Sequence, residues 1–228
     1  MPILLLIALL LAIVFGPQWW AQRTFKRHAR PRADIPGSGA ELARHLLQRF
    51  EIHTVKVEET EPGNDHYDPV DKTVRLSPSN FHDHSLTAIT VAAHEVGHAI
   101  QDHQQEPLLA MRHRLVELAG SIQKLGAGLL LLIPVVAVLT RSPIDDLLFL
   151  IGGLVSMATA TLVHVVTLPV EIDASFNKAL PILFDGEYVA KKDRRAARRI
   201  LKAAAYTYVA ASLASLLNLW RWIAILRR

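Results

Sequence analysis

Nineteen residues from Pro2 to Trp20 pass without one charged side chain, and an apolar helix of roughly that length is long enough to cross the hydrocarbon of a bilayer. Gly126 to Thr140, Leu147 to Leu168 and Ala203 to Leu226 are three more apolar stretches. The short loop Arg141-Ser-Pro-Ile-Asp-Asp146 joins the second to the third, which makes them a hairpin, and the second is short unless Leu118 to Leu125 extends it. Trp19 and Trp20 close the first stretch, and Tyr206, Tyr208, Trp220 and Trp222 mark the ends of the last, as residues at a membrane interface do. Basic residues follow the first stretch and not its start, so the expectation is an uncleaved anchor and not a removed signal peptide. The chain is 51% hydrophobic and 20% charged, which leaves room for one polar domain beside the apolar stretches.

The basic residues give those stretches a direction. Arg23, Lys26, Arg27, Arg30 and Arg32 follow the anchor, one arginine sits in the hairpin loop, and eight Lys and Arg lie between Lys178 and Lys202. Cytoplasmic loops carry such excesses. The expected organisation is an anchor at 1–20, a cytoplasmic domain at 21–120, a transmembrane hairpin at 121–168, a cytoplasmic segment at 169–202, and a C-terminal transmembrane helix at 203–228. Residues near 95 and near 171 then face the same compartment. Within the polar part, Gly39 to Glu51 has helical periodicity, Thr54 to Glu58 alternates as a strand does, Glu61-Pro-Gly-Asn-Asp65 is a turn, and Lys72 to Leu76 is a second strand leading to a helix entry at Ser77 to Asn80. The basic run from Lys191 to Lys202 is expected to face lipid headgroups, since no recognition fold accompanies it to favour nucleic acid.

There is no cysteine, so a metal in this chain must be held by His, Asp or Glu. Val91-Ala-Ala-His94-Glu95-Val-Gly-His98-Ala-Ile-Gln101 contains H-E-x-x-H, a pattern that this composition would produce by chance only about 0.02 times. On a helix, His94 and His98 lie one turn apart and reach one zinc ion. Ile89, Ala93, Val96 and Ile100 give that helix an apolar back, and Glu95 falls beside the metal where a carboxylate acts on water. No third histidine follows at the extended-motif spacing, so the third ligand must come from elsewhere. Glu171, in Leu168-Pro-Val-Glu-Ile-Asp-Ala-Ser175, stands where an apolar stretch ends in carboxylates, and Asp185 in Phe184-Asp-Gly186 is its rival. Asp173 is a candidate to orient a ligating histidine. His164, within the third apolar stretch, is either a buried hydrogen-bonded histidine or a group that assists the transition state; Tyr206 and Tyr208 are further candidates to steady an oxyanion. His66, His82, His84, His103 and His113 are mostly expected at the surface.

Several ordered blocks carry a family resemblance: His66-Tyr-Asp-Pro69, Lys72 to Ser77, Ser85 to Ile89, Val91 to Gln101, Leu168 to Ser175 and Lys202 to Ala210. Together, from about residue 60 to 215, they resemble the YugP-like family of neutral zinc metallopeptidases. The resemblance implies an integral-membrane zinc peptidase with His94 and His98 as ligands and Glu95 as acid and base, and it supports Glu171 as the third ligand by likeness to membrane gluzincins. Those relatives carry an Asp four residues after the ligand Glu, where this chain has Ser175, and the nearest acid is Asp173.

The expected fold is therefore mainly α: a polytopic membrane protein with about four transmembrane helices and a small α+β, zincin-like cytoplasmic domain. The expected function is zinc-dependent hydrolysis of peptide bonds at the cytoplasmic surface of the cell membrane, with the bilayer and a peptide or membrane-protein substrate as partners. Two rivals remain open: an intramembrane site-2-type protease, with Asp185 as ligand, and a non-catalytic metal-binding membrane scaffold. The strand at Lys72 to Leu76 is expected to offer an edge to an extended substrate.

Overall fold

A computed structural model describes residues 2–122, 159, 162–163 and 165–206. The chain begins with α1 (Pro2–His28) and α2 (Gly39–Arg49), passes through three short strands, β1 (Lys56–Glu59), β2 (His66–Asp68) and β3 (Thr73–Leu76), and continues into α3 (Pro78–His82) and α4 (Leu86–His103). Residues 107–122 form α5 and residues 165–172 form α6. A π-helical turn at Asp173–Ala179 runs into α7 (Leu180–Asp185), and after a 3₁₀ turn at Lys191–Asp193 residues 194–206 form α8.

Local sequence explains where these elements start. Ser38 and Glu41 close a reciprocal capping box on α2, with Ser38 N donating to Glu41 Oε2 at 2.8 Å, so two otherwise orphaned amides are satisfied. Ser85 caps α4 by accepting from Ala88 N at 3.1 Å. From Leu86 to Gln101 every residue of α4 except Val91 is buried. This helix is the axis around which the rest is packed: α2 and the sheet cover one side, the π-helical turn covers another, and Thr87 Oγ1 donates to Phe25 O of α1 at 2.9 Å. Leu46, Leu76, Val74, Val96, Leu183, Ile200 and Leu201 fill the common core and are almost wholly excluded from solvent, each contributing about 1.5–3 kcal/mol by its burial.

The strands form one sheet in the order β1-β3-β2, with β1 parallel to β3 and β2 antiparallel to it. Val74 is paired with Val57 on one side and Tyr67 on the other. The expected second strand is thus the central one, and Lys72 to Leu76 has no free edge to offer. The short strand β2 fills that edge, and β2 itself is left at the border of the sheet next to α4.

Among the described residues no helix is long and apolar enough to cross a membrane. This overturns the expectation of a polytopic membrane protein with about four transmembrane helices; what is described is mainly helical with a small three-stranded sheet. The helices described beyond the expected anchor are charged and fall in segments read as polar: α5 carries Arg112, Arg114 and Glu117, α8 carries Arg194, Arg195, Arg198, Arg199 and Lys202, and α1 runs on past its apolar residues into Lys26, Arg27 and His28. Nearly all of the expected hairpin at 121–168 and most of the segment at 203–228 lie outside the described residues, as do His164 and Tyr208.

Candidate metal centre

His94 and His98 project from the same face of α4, with ring centroids 4.8 Å apart, because four residues advance a helix by little more than one turn. Glu171 arrives from the end of α6. Its Oε2 lies 3.2 Å from His94 Nε2 and 3.4 Å from His98 Nε2. All three side chains are buried, and one ligand atom from each falls within 4.8 Å of the others. Asp185 is exposed on α7 and lines a separate surface depression with Arg49, Phe50 and Lys178, so the carboxylate brought to the histidines is Glu171 and not its rival.

The donor set fits zinc by a test internal to the structure. A tetrahedral ion with nitrogen and oxygen ligands about 2.0–2.1 Å away holds those ligands about 3.3–3.4 Å from one another, which is the spacing from Glu171 Oε2 to the two ring nitrogens. Both Glu171 oxygens are buried without a hydrogen bond, an arrangement that is costly unless a cation compensates it. Arg112 of α5 supplies part of that charge, with Nη1 3.0 Å from Oε1. Burial alone would raise the Glu171 carboxyl; the closeness of His98 and His94 outweighs it and holds the group well below the usual carboxylate range.

The approach of α6 to α4 depends on backbone geometry. Residues after Glu171 widen into the π-helical turn, a distortion common at functional sites, and Gly97 lets that turn come close: a Cβ there would sit 2.9 Å from Ala174 O and 3.4 Å from Lys178 Cβ. Gly97→Ala is therefore expected to destabilise the metal-free protein by about 1–3 kcal/mol. Thermal or urea denaturation reads this directly, and an unchanged midpoint would mean the two helices are free to separate.

Three side chains steady the ligands. Gln101 Oε1 lies 2.9 Å from His98 Nδ1, while Gln101 Nε2 donates to Val170 O at 3.0 Å and to Asp173 Oδ2 at 2.8 Å. Ser175 Oγ lies 3.2 Å from His94 Nδ1. Asp173 thus touches neither histidine; it reaches His98 only through Gln101. The position four residues after Glu171, where the sequence departs from the gluzincin pattern, is nonetheless the one that contacts His94.

Glu95 is buried beside His94, and burial pushes its carboxyl up to about 7, with the nearby His94 charge opposing and the Glu171 charge adding to the rise. It lines the same cavity as His94, His98, Glu171, Asp65, His66, Tyr67, Leu109, Arg112 and His113. His66 and His113, two of the five histidines mostly expected at the surface, line this cavity, and His113 Nε2 is buried without a hydrogen bond. Burial and the neighbouring Arg112 lower the His113 pKa. Arg112 and His113 escaped the sequence reading because nothing in their spacing from the motif marks them. Tyr206 does not reach the cavity; it packs edge-on against Trp20 with ring centroids 6.2 Å apart.

Two histidines a helical turn apart and a carboxylate from a second helix, converging in a buried pocket, define a three-ligand metal centre of the kind that mononuclear zinc hydrolases use. The family model described as "Putative neutral zinc metallopeptidase" matches residues 3–227, and the chain belongs to that family. It is 33% identical over 217 residues to the "Putative membrane protease YugP" of Bacillus subtilis (strain 168), an alignment that covers 94% of this chain and 92% of that relative. No solved structure matches it.

Proposed function

We propose that this protein is a zinc-dependent endopeptidase in which His94, His98 and Glu171 hold the metal and Glu95 moves the proton. The observation that carries the reading is the convergence of His94 Nε2, His98 Nε2 and Glu171 Oε2 on one point, with the buried Glu95 lining the same cavity. Zinc held there supplies Lewis acidity toward the scissile carbonyl and a more acidic water. Glu95 takes the proton from the attacking water as the C–O bond forms and returns it to the amine nitrogen as the C–N bond breaks. Arg112 and His113 are donors available to an oxygen that gains charge, since α5 brings both to the cavity wall.

The substrate is a peptide lying extended along the free edge of β2. Asp65, His66 and Tyr67 line the cavity, and among the described residues β2 is paired only with β3, so its outer edge has backbone groups to offer a passing chain. The reaction is assigned to a membrane surface on the cytoplasmic side. The relative's name as a membrane protease supports this, and so do the basic residues at the end of α1 and along α8.

The test is metal removal. Purified protein is expected to cleave members of a mixed peptide library, to lose that activity on chelation and to regain it with stoichiometric zinc. Zinc-loaded protein that cleaves nothing in the library would instead favour the non-catalytic metal-binding scaffold.

A further inference from the structure

Gln101 is almost wholly buried, at 1% exposure, and it makes more hydrogen bonds than a packing residue needs. Its Nε2 donates to two acceptors at once, Val170 O at 3.0 Å and Asp173 Oδ2 at 2.8 Å. Neither acceptor donates in return: one is a carbonyl, and the other a carboxylate oxygen that also faces the Lys178 ammonium at 3.4 Å. Turning the amide over would set its oxygen against both of them. The orientation of Gln101 is therefore fixed, and Oε1 is left pointing at His98 Nδ1, 2.9 Å away. An acceptor in that place requires a hydrogen on Nδ1. A neutral His98 then carries its lone pair on Nε2, the nitrogen that faces Glu171 Oε2.

His94 is held differently. Its Nδ1 faces the hydroxyl of Ser175 at 3.2 Å, and a hydroxyl both donates and accepts, so it selects neither tautomer. The two ligands are thus supported unequally, one by a fixed acceptor and one by a rotor.

We infer that Gln101 is a positioning residue that sets the tautomer of His98 and clasps α4 to the residues on either side of Glu171, so that the three zinc ligands are assembled before the metal arrives. Val170 and Asp173 flank Glu171 in sequence, and one amide bonds both while its oxygen orients a ligand from the other helix. The inference rests on the zinc site proposed above, but not on whether that site cleaves peptides.

Two measurements on the full-length protein test it. Long-range ¹H–¹⁵N spectra of histidine-labelled, metal-free wild type are expected to show neutral His98 as the Nδ1–H tautomer, against the Nε2–H form that free histidine prefers in water; Nε2–H at His98 would overturn the inference without any mutant. Gln101→Met keeps the buried volume and removes all three hydrogen bonds. It is expected to weaken zinc binding, measured by competition with a chromophoric chelator, by about 10–100-fold, and to return His98 to the Nε2–H form. If that variant does not fold, Asp173→Ala, at a partly exposed position, is expected to show a smaller loss of affinity in the same direction. Wild-type affinity in a folded Gln101→Met, or in Asp173→Ala where it stands in, would overturn the inference. Failure of the peptidase reading would be distinguishable, since it would leave zinc affinity and tautomer as expected while no peptide is cut.

Discussion

Glu95→Gln is expected to lower peptide cleavage by about 10²–10⁴-fold while zinc content stays at the wild-type level. The substitution keeps the size and polarity of the side chain and removes only its capacity to take up a proton. Glu95 is not one of the three residues whose ligand atoms converge, so its loss leaves the donor set intact. It is buried, at 6% exposure, and that burial has raised its carboxyl to about 7, which is a costly state for a residue with only a structural part to play. The check is a pair of measurements on the same preparation: steady-state cleavage of a peptide recovered from the library, and zinc by atomic absorption. Glu95→Asp draws the carboxylate back by one methylene and should fall between wild type and Glu95→Gln, since proton transfer depends on reach as well as on acidity. Full activity in Glu95→Gln would move the proton transfer to another group, with His113, which lines the same cavity, the first to test.

The site was more legible than the fold around it, for reasons of periodicity and range. H-E-x-x-H announces itself because helical geometry places both histidines on one face within a single turn, and the buried back of α4 at Ile89, Ala93, Val96 and Ile100 follows from the same periodicity. Glu171 was reachable because carboxylates at the end of an apolar stretch need a reason. The oriented shell behind the ligands was only half visible. Gln101 follows His98 by three residues, a spacing that meets on one helix face, but an amide there is more often at the surface. Ser175 was noticed as a departure from a pattern, and it makes contact with His94 all the same. Strand β2 was missed because three residues are too few to establish an alternation, and that omission misplaced the sheet edge. The largest error concerned membrane spans: hydropathy along the sequence reports apolar length and not the helix that carries it, and among the described residues no helix is both long and apolar enough.

Glu171→Ala and Asp185→Ala are expected to part company in their hold on zinc: the first should weaken it by more than about 100-fold, beyond what loss of a supporting residue costs, and the second should leave it unchanged. The two acids lie only fourteen positions apart in the chain and the sequence motifs allow either, yet they occupy opposite circumstances. Glu171 is 1% exposed and within 3.4 Å of both ring nitrogens; Asp185 is solvated on α7, beside Lys178 and Pro181 and away from the histidines. Equilibrium dialysis against buffered zinc gives the comparison directly. Removing the Glu171 carboxylate also strips Arg112 of its partner, and breaking a buried ion pair can cost about 3–5 kcal/mol, so a folded variant has to be secured. Glu171→Gln serves that purpose: it fills the same volume and offers Arg112 a carbonyl oxygen, but a neutral amide is a poor replacement for a charged ligand. It should fold, with a thermal midpoint near that of the metal-free wild type, and still fail to retain zinc. If Asp185→Ala released the metal while Glu171→Gln kept it, the third ligand would have to come from α7, and α6 would have to move away from the histidines on which it now closes.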